Sequence, residues 1–126
     1  DDDRTDRIGR AVAVQIEHID AVERIDEIFA VAGIDAAFIG PYDLSASMGL
    51  TARFDHPDYL AARDRILRAC EKHGVVSGIH VVPPDPSQAK DRLAEGYRFV
   101  AFSLDITFLT TACRDGLAEI RKSQEP

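Results

Sequence analysis

Short apolar runs alternate with helix-length amphipathic stretches four times along this chain, in units of about 30 residues, and no other feature restricts the fold as far. Residues 12–17 form a near-continuous apolar strand. Asp20, with Glu23 three residues on, offers a capping box for a helix that carries Val22, Ile25, Ile28 and Phe29 on one face and stops at Gly33. Residues 36–40 make a second strand, followed by a helical turn over 44–48. Pro57 opens a long helix bearing Leu60, Ile66, Leu67 and Cys70, and Gly74 ends it. Residues 75–82 are the third strand, after which Asp85-Pro86 caps and opens a helix that runs through Leu93 to Gly96. Residues 98–104 are the fourth strand, and 106–121 the last helix.

Such alternation implies a parallel sheet joined by right-handed crossovers. Strands this apolar are expected to be buried on both faces. A complete (β/α)8 barrel takes about 250 residues. Four units in 126 residues therefore make half a barrel or a small, open, doubly wound sheet. No linker or low-complexity tract divides the chain, so residues 1–126 are expected to form one partial domain. The acidic stretch 1–6 is expected to be a solvated connection from a preceding helix. Asp1-Asp2-Asp3 is no initiator and Met48 is the single methionine, so the chain is expected to be the C-terminal piece of a longer protein.

Charge and cysteine usage narrow the function. Lys and Arg number 15 against 22 Asp and Glu, a net charge of −7, which argues against nucleic acid or an anionic membrane as a partner. Cys70 and Cys113 are far apart and lack metal-ligand spacing, which fits a reducing cytoplasm better than a disulfide framework. No apolar run approaches the roughly 20 residues of a membrane span, and no signal-peptide pattern opens the sequence.

The chemistry-bearing residues gather at strand ends. Glu17 closes the first strand, and Asp43 lies just past Gly40-Pro41 at the end of the second. Two acids at the C-terminal ends of successive parallel strands suit a hard divalent cation and sit where such folds place their chemistry. The plainer alternatives are a solvated strand-end acid for Glu17, a helix N-cap for Asp43, and turn punctuation for Gly40-Pro41. Strand alternation puts Gln15 on the same face as Glu17, with Val14 and Ile16 on the other. Gly78 and His80 likewise share a face, as do Ala101, Ser103 and Asp105. Each strand is thus expected to have one small or polar face and one bulky face. His80 is either a substrate contact near the mouth or a hydrogen-bonded structural histidine. Asp105 reads as the cap of the last helix, and His18, His56 and His73 as cap or surface residues.

Three segments carry a resemblance: Gln15-Ile16-Glu17, then Phe38-Ile39-Gly40-Pro41-Tyr42-Asp43-Leu44-Ser45, then Gly78-Ile79-His80-Val81-Val82-Pro83-Pro84-Asp85. Together with Glu95-Gly96-Tyr97-Arg98-Phe99, they resemble the aldolase/citrate lyase (HpcH/HpaI) family of metal-dependent pyruvate aldolases. That family includes 4-hydroxy-2-oxoheptanedioate aldolase and the 2-keto-3-deoxy sugar-acid aldolases. The likeness runs from Val12 to Leu109 and corresponds to the C-terminal half of that family's TIM (β/α)8 barrel.

The resemblance implies a class II aldolase that reversibly cleaves a 4-hydroxy-2-oxoacid to pyruvate and an aldehyde. Glu17 and Asp43 match the two protein ligands of a Mg²⁺ or Mn²⁺ ion, with Co²⁺ as a further option. The amides of Tyr42 and Asp43, with Gly40 and Pro41, match the groups that hold the pyruvate carboxylate. Gln15 matches an amide that supports the ligands or faces the substrate. The family's interior arginine and histidine have no counterpart here, so no catalytic residue is assigned within this half. Lys72, Lys90 and Lys122 all fall in helical segments, which disfavours an imine mechanism. The resemblance also implies a cytoplasmic homo-oligomer. Two alternatives stand beside it: a citrate-lyase-like lyase acting on an acyl-CoA, and a non-catalytic half-barrel that only associates with another chain.

Overall fold

A computed structural model of the chain describes residues 10–122. The acidic stretch 1–6 lies outside the described residues. Four strands, β1 (Ala13–Ile16), β2 (Ala36–Ile39), β3 (Val76–Val81) and β4 (Phe99–Phe102), pair in parallel in the order β1-β2-β3-β4. Sequential order is that of a barrel segment; a doubly wound sheet reverses direction at its first strands. Six helices intervene: α1 (Ile19–Glu23), α2 (Ile25–Phe29), α3 (Pro41–Ser47), α4 (Pro57–His73), α5 (Pro86–Ala94) and α6 (Asp105–Lys122).

Register decides which side chains share a face. Gln15 pairs with Phe38, Phe38 with Gly78, and Gly78 with Phe99; one residue on, Ile16, Ile39, Ile79 and Val100 form the alternate row. The alternate row meets the helices. Ile16, Ile39 and Ile79 are buried in one cluster with Val22, Ile25, Phe29, Leu44, Tyr59, Ile66, Cys70 and Tyr97. Each such side chain contributes about 1.5–3 kcal/mol by leaving water.

The opposite face is only partly covered: Ala13, Gln15, Glu17 and Phe99 are exposed. This corrects the expectation of strands buried on both faces. A four-strand segment has helices on one side, and its other side becomes interior only when further strands close over it. The expectation of a uniformly small or polar inner face also fails. Phe38 and Phe99 lie on it with ring centroids 5.2 Å apart. Gly78 sits between them, where a Cβ would stand 2.9 Å from Ala37 O, Phe99 O and Phe99 Cδ1. The glycine makes room for the aromatic pair.

Local chemistry also shifts several element boundaries. His18, not Asp20, is the first N-cap, its Nδ1 accepting from the Asp20 amide at 3.2 Å. The expected single helix is two, broken at Arg24. Arg65 Nη2 donates to the Glu23 carbonyl at 2.7 Å, and the Glu27 amide turns to the Arg24 carbonyl instead. The expected turn at 44–48 begins earlier, as α3, because Pro41 occupies the first helical position with Gly40 as N-cap. Leu60 is 37% exposed; Tyr59, Ala62, Ile66, Ala69 and Cys70 form the buried face of α4 instead. At the lower edge Asp35 ties three strands together: its carboxylate accepts from Val12 N (2.7 Å) and its carbonyl from Val76 N (2.9 Å).

Candidate active site

The C-terminal rim of β1 and β2 is assembled from residues on adjacent strands. Glu17 follows β1 directly, and strand alternation turns it to the inner face beside Gln15. The Gln15 amide donates to Glu17 Oε2 at 2.7 Å, fixing one oxygen and leaving the other without a hydrogen-bond partner among the described residues. Gly40 lies alongside, its N–H reaching Ile16 O at 3.4 Å. A Cβ at Gly40 would stand 3.2 Å from both Gln15 Nε2 and Glu17 Oε2. The absence of a side chain there lets the pair lie across the strand end.

Gly40 is extended (φ −89°, ψ 94°) and gives α3 no side-chain cap. Pro41 has no N–H, so the amides of Tyr42 and Asp43 are the first open donors of the helix. Asp43 lies in that first turn, not at the N-cap, and is exposed. Among the described residues neither Glu17 nor Asp43 is engaged in an ion pair. The Tyr42 ring packs edge-on against Phe54 at 5.0 Å, and Phe54 against Tyr59 at 5.5 Å. Its side chain thus anchors α3 to the α4 side, leaving the backbone to serve the rim.

Two serines that the sequence reading passed over hold this rim together. Ser47 Oγ accepts from the Ile19 amide at 3.0 Å and donates to Leu44 O at 2.7 Å. That joins the segment just after Glu17 to the helix carrying Asp43. Ser45 is fully buried; its Oγ donates to Tyr42 O (2.9 Å) and accepts from Ala52 N (3.1 Å). Polar residues in the interior of a short helix were the available signal, since buried hydroxyls need partners.

On β3 and β4, His80 is half-buried on the inner face, 6.2 Å from the Phe38 ring, with Nε2 3.1 Å from Ser103 O. Ser103 is a buried non-glycine residue at φ +60°, a conformation that costs on the order of 1–3 kcal/mol. Its amide donates to Val81 O (2.7 Å) and its hydroxyl to Val82 O (3.0 Å). Asp105 opens α6, its Oδ1 accepting from the Ile106 amide at 2.7 Å. His18 and His56 are N-caps. His73 and Lys72 both contact Asp26 at 2.8 Å, and their hydrogen bonds hold that carboxyl below its usual range.

The structure thus brings Gln15, Glu17 and Gly40 into contact and places Pro41, Tyr42 and Asp43 in the turn that follows. Among the described residues no cluster of three or more His, Cys, Asp or Glu side chains converges on a point, so any cation here would rest on two carboxylates plus water or ligand oxygens. A groove of about 790 Å³ lies elsewhere, at the opposite rim, between residues 30–35 and 73–76. The candidate rim lies instead on the partly covered inner side of the sheet.

The comparisons with known proteins agree with this frame. The model of the HpcH/HpaI aldolase/citrate lyase family matches residues 4–112. The chain belongs to this family. It is 37% identical to a hydroxypyruvate/pyruvate aldolase of Paraburkholderia phytofirmans over 88% of this chain and 42% of that protein. It is 39% identical to a 2-keto-3-deoxy-L-rhamnonate aldolase of Klebsiella pneumoniae, over 83% and 39%. A crystal structure of a family member from Burkholderia cenocepacia superposes with a TM-score of 0.81 at 38% identity, covering 88% of this chain and 42% of that one. The chain spans about two fifths of the length of the curated relatives it matches. Among the described residues no helix is long and apolar enough to cross a membrane.

Proposed function

We propose that this chain is the metal- and pyruvate-binding part of a class II aldolase that reversibly cleaves a 4-hydroxy-2-oxoacid to pyruvate and an aldehyde. The observation that carries the reading is the Gln15–Glu17 pair lying across Gly40, next to the helix start that bears Asp43. The donor set is chemically apt: two exposed carboxylates without cationic partners suit Mg²⁺, Mn²⁺ or Co²⁺. Gln15 would hold Glu17 in a ligating orientation, a role whose loss weakens such sites by about 10–100-fold. A bound ion of this kind supplies Lewis-acid polarisation of the keto oxygen of a 2-oxoacid.

The chain's own residues would do the rest of the binding. The amides of Tyr42 and Asp43 would receive the substrate carboxylate, with Gly40 leaving the approach open and Pro41 presetting the turn. In the cleavage direction the C4 hydroxyl loses its proton, the C3–C4 bond breaks, and the products are an aldehyde and the enolate of pyruvate, which is protonated at C3. These residues contribute binding and orientation to that step, and the proton transfers fall to groups outside them. Residues 1–126 would act as one partial barrel domain of a cytoplasmic homo-oligomer.

A second reading, a non-catalytic half that only associates with another chain, draws on one observation: no residue of α6 is buried. One experiment separates the two. Deuterium exchange into the pyruvate methyl group is followed by NMR with Mn²⁺ or Mg²⁺ and an EDTA control, in the complete enzyme and in this chain. The aldolase reading expects metal-dependent exchange in the complete enzyme, falling by more than about 100-fold in Glu17→Gln or Asp43→Asn with the fold retained. Unchanged exchange in either variant overturns the ligand assignment. No exchange in the complete enzyme leaves the associating half as the better reading.

A further inference from the structure

His80 lies on the same level of the sheet as Glu17. The register that pairs Gln15, Phe38, Gly78 and Phe99 in one row pairs His80 with Ala101 two residues higher. The same step carried along β1 and β2 reaches Glu17 and Gly40. In this upper row Glu17 and His80 are therefore two strands apart, on the order of 10 Å, and the position between them is a glycine. The row has a carboxylate at one side and an imidazole at the other, and the middle strand adds no side chain of its own, the Gln15–Glu17 pair lying over Gly40.

The imidazole is fixed in a defined state. Ser103 O is a carbonyl and can only accept, so His80 Nε2, 3.1 Å away, carries the proton. In the neutral ring Nδ1 is then an acceptor. Among the described residues Nδ1 has no hydrogen-bond partner, and it is not among the buried unpartnered atoms, which are Arg63 Nε and Tyr97 OH. The ring is held by the Ser103 carbonyl and lies tilted beside the Phe38 ring, 6.2 Å away. Ser103 in turn is locked by Val81 O and Val82 O in its left-handed conformation. The half-buried ring thus keeps one acceptor, Nδ1, without a protein partner among the described residues.

We propose that His80 is a specificity-determining residue: its Nδ1 accepts a hydrogen bond from a hydroxyl that the aldehyde carries beyond its carbonyl carbon, the C5 hydroxyl in the product of glycolaldehyde. This rests on the placement of the 2-oxoacid at Glu17 and Asp43. With the oxoacid end anchored there, the carbon chain would extend above the Gln15–Glu17 pair and past Gly40 towards β3. The site therefore favours hydroxylated aldehydes over their deoxy counterparts.

The test uses the complete enzyme with Mn²⁺ and pyruvate, comparing glycolaldehyde with acetaldehyde as the acceptor. Wild type is expected to prefer glycolaldehyde in kcat/KM. His80→Leu should lower that preference about tenfold, the usual consequence of losing one hydrogen bond to a substrate hydroxyl. His80→Gln, which can still donate to Ser103 O and accept from substrate, should recover part of it. Metal-dependent exchange of the pyruvate methyl protons should persist in both variants, while the thermal midpoint should fall in His80→Leu, which leaves Ser103 O without its donor, and less in His80→Gln. A second readout does not depend on turnover. With ¹⁵N-labelled histidine, the His80 Nδ1 resonance should shift on saturation with 4,5-dihydroxy-2-oxopentanoate and not with 4-hydroxy-2-oxopentanoate. Equal losses with both aldehydes, an unchanged preference, or loss of pyruvate exchange in His80→Leu would each overturn the role given to His80 while leaving the aldolase reading in place. Absence of metal-dependent exchange in the wild-type enzyme overturns both.

Discussion

The rim of β1 and β2 and the far end of the chain, β4 with α6, start from the same kind of sequence: an apolar strand, then a helix with an aspartate in its first turn. They end differently. In α3 the residues after Asp43, Leu44 and Ser45, are fully buried. In α6 no residue after Asp105 is buried, and Ile106, Leu109, Leu117 and Ile120 are each more than half exposed. Phe108 still meets Phe102, at 5.3 Å, but the two remain 42% and 36% exposed. Amphipathic patterning fixes which face of a helix is apolar; it does not supply what covers that face. The rim that carries Glu17 and Asp43 draws its order from contacts within the described residues. The α6 end presents an apolar surface of the kind that marks an interface.

The strongest way to break this contrast is by truncation of one leucine at each place. Leu44→Ala removes a side chain with no exposed surface and should cost about 2–5 kcal/mol in a urea unfolding measurement. Leu109→Ala, at 62% exposure, should change the same measurement by no more than about 0.5 kcal/mol. Similar costs at both positions would show that α6 is already packed in solution and that the two ends do not differ.

Two glycines sharpen the contrast from within the sheet. Gly78→Ala drives a Cβ to 2.9 Å from two backbone carbonyls and the Phe99 ring. Those backbone atoms cannot give way, and a loss of about 1–3 kcal/mol is expected. Gly40→Ala meets Gln15 Nε2 and Glu17 Oε2 at 3.2 Å, the ends of two flexible side chains. It should therefore leave stability within about 1 kcal/mol while displacing the carboxylate, read as weaker Mn²⁺ binding by titration. A Gly40→Ala protein with unchanged Mn²⁺ affinity would separate Glu17 from the metal.

Much of this was legible in the sequence, and most of the misses share a cause. The four strands and the placing of Gln15 with Glu17 on one face follow from alternation, which acts over a few residues, whereas the start of α3 at Pro41 was missed. The break at Arg24 comes from Arg65, 41 positions away in the chain, taking a carbonyl. Ser47 reaching the Ile19 amide and His80 reaching Ser103 are also distant contacts. Such bonds depend on register between strands, which periodicity alone leaves open. Phe38 shows the limit most directly. Periodicity does not say which face of β2 it takes, while its register with Gln15 puts it on the inner face.

The two cysteines offer the mildest probe, because one lies in the buried core and the other on α6, and labelling disturbs little. Cys70 is buried in α4, and burial pushes its thiol up to about 11. Cys113 is exposed on α6. Alkylation proceeds through the thiolate and needs access, so at pH 8 Cys113 should react with iodoacetamide at least about 100-fold faster than Cys70. As pH rises through 11 the thiolate contribution to this gap should vanish and only the access contribution remain. Mass spectrometry of quenched time points reads both sites in one sample. The same labelling in the complete protein carries the argument further. If α6 docks against strands or helices supplied from elsewhere, Cys113 slows towards the rate of Cys70 while Cys70 itself stays unchanged. If Cys113 keeps its rate, that part of α6 remains open to solvent in the complete protein, and its apolar face is not covered at that point.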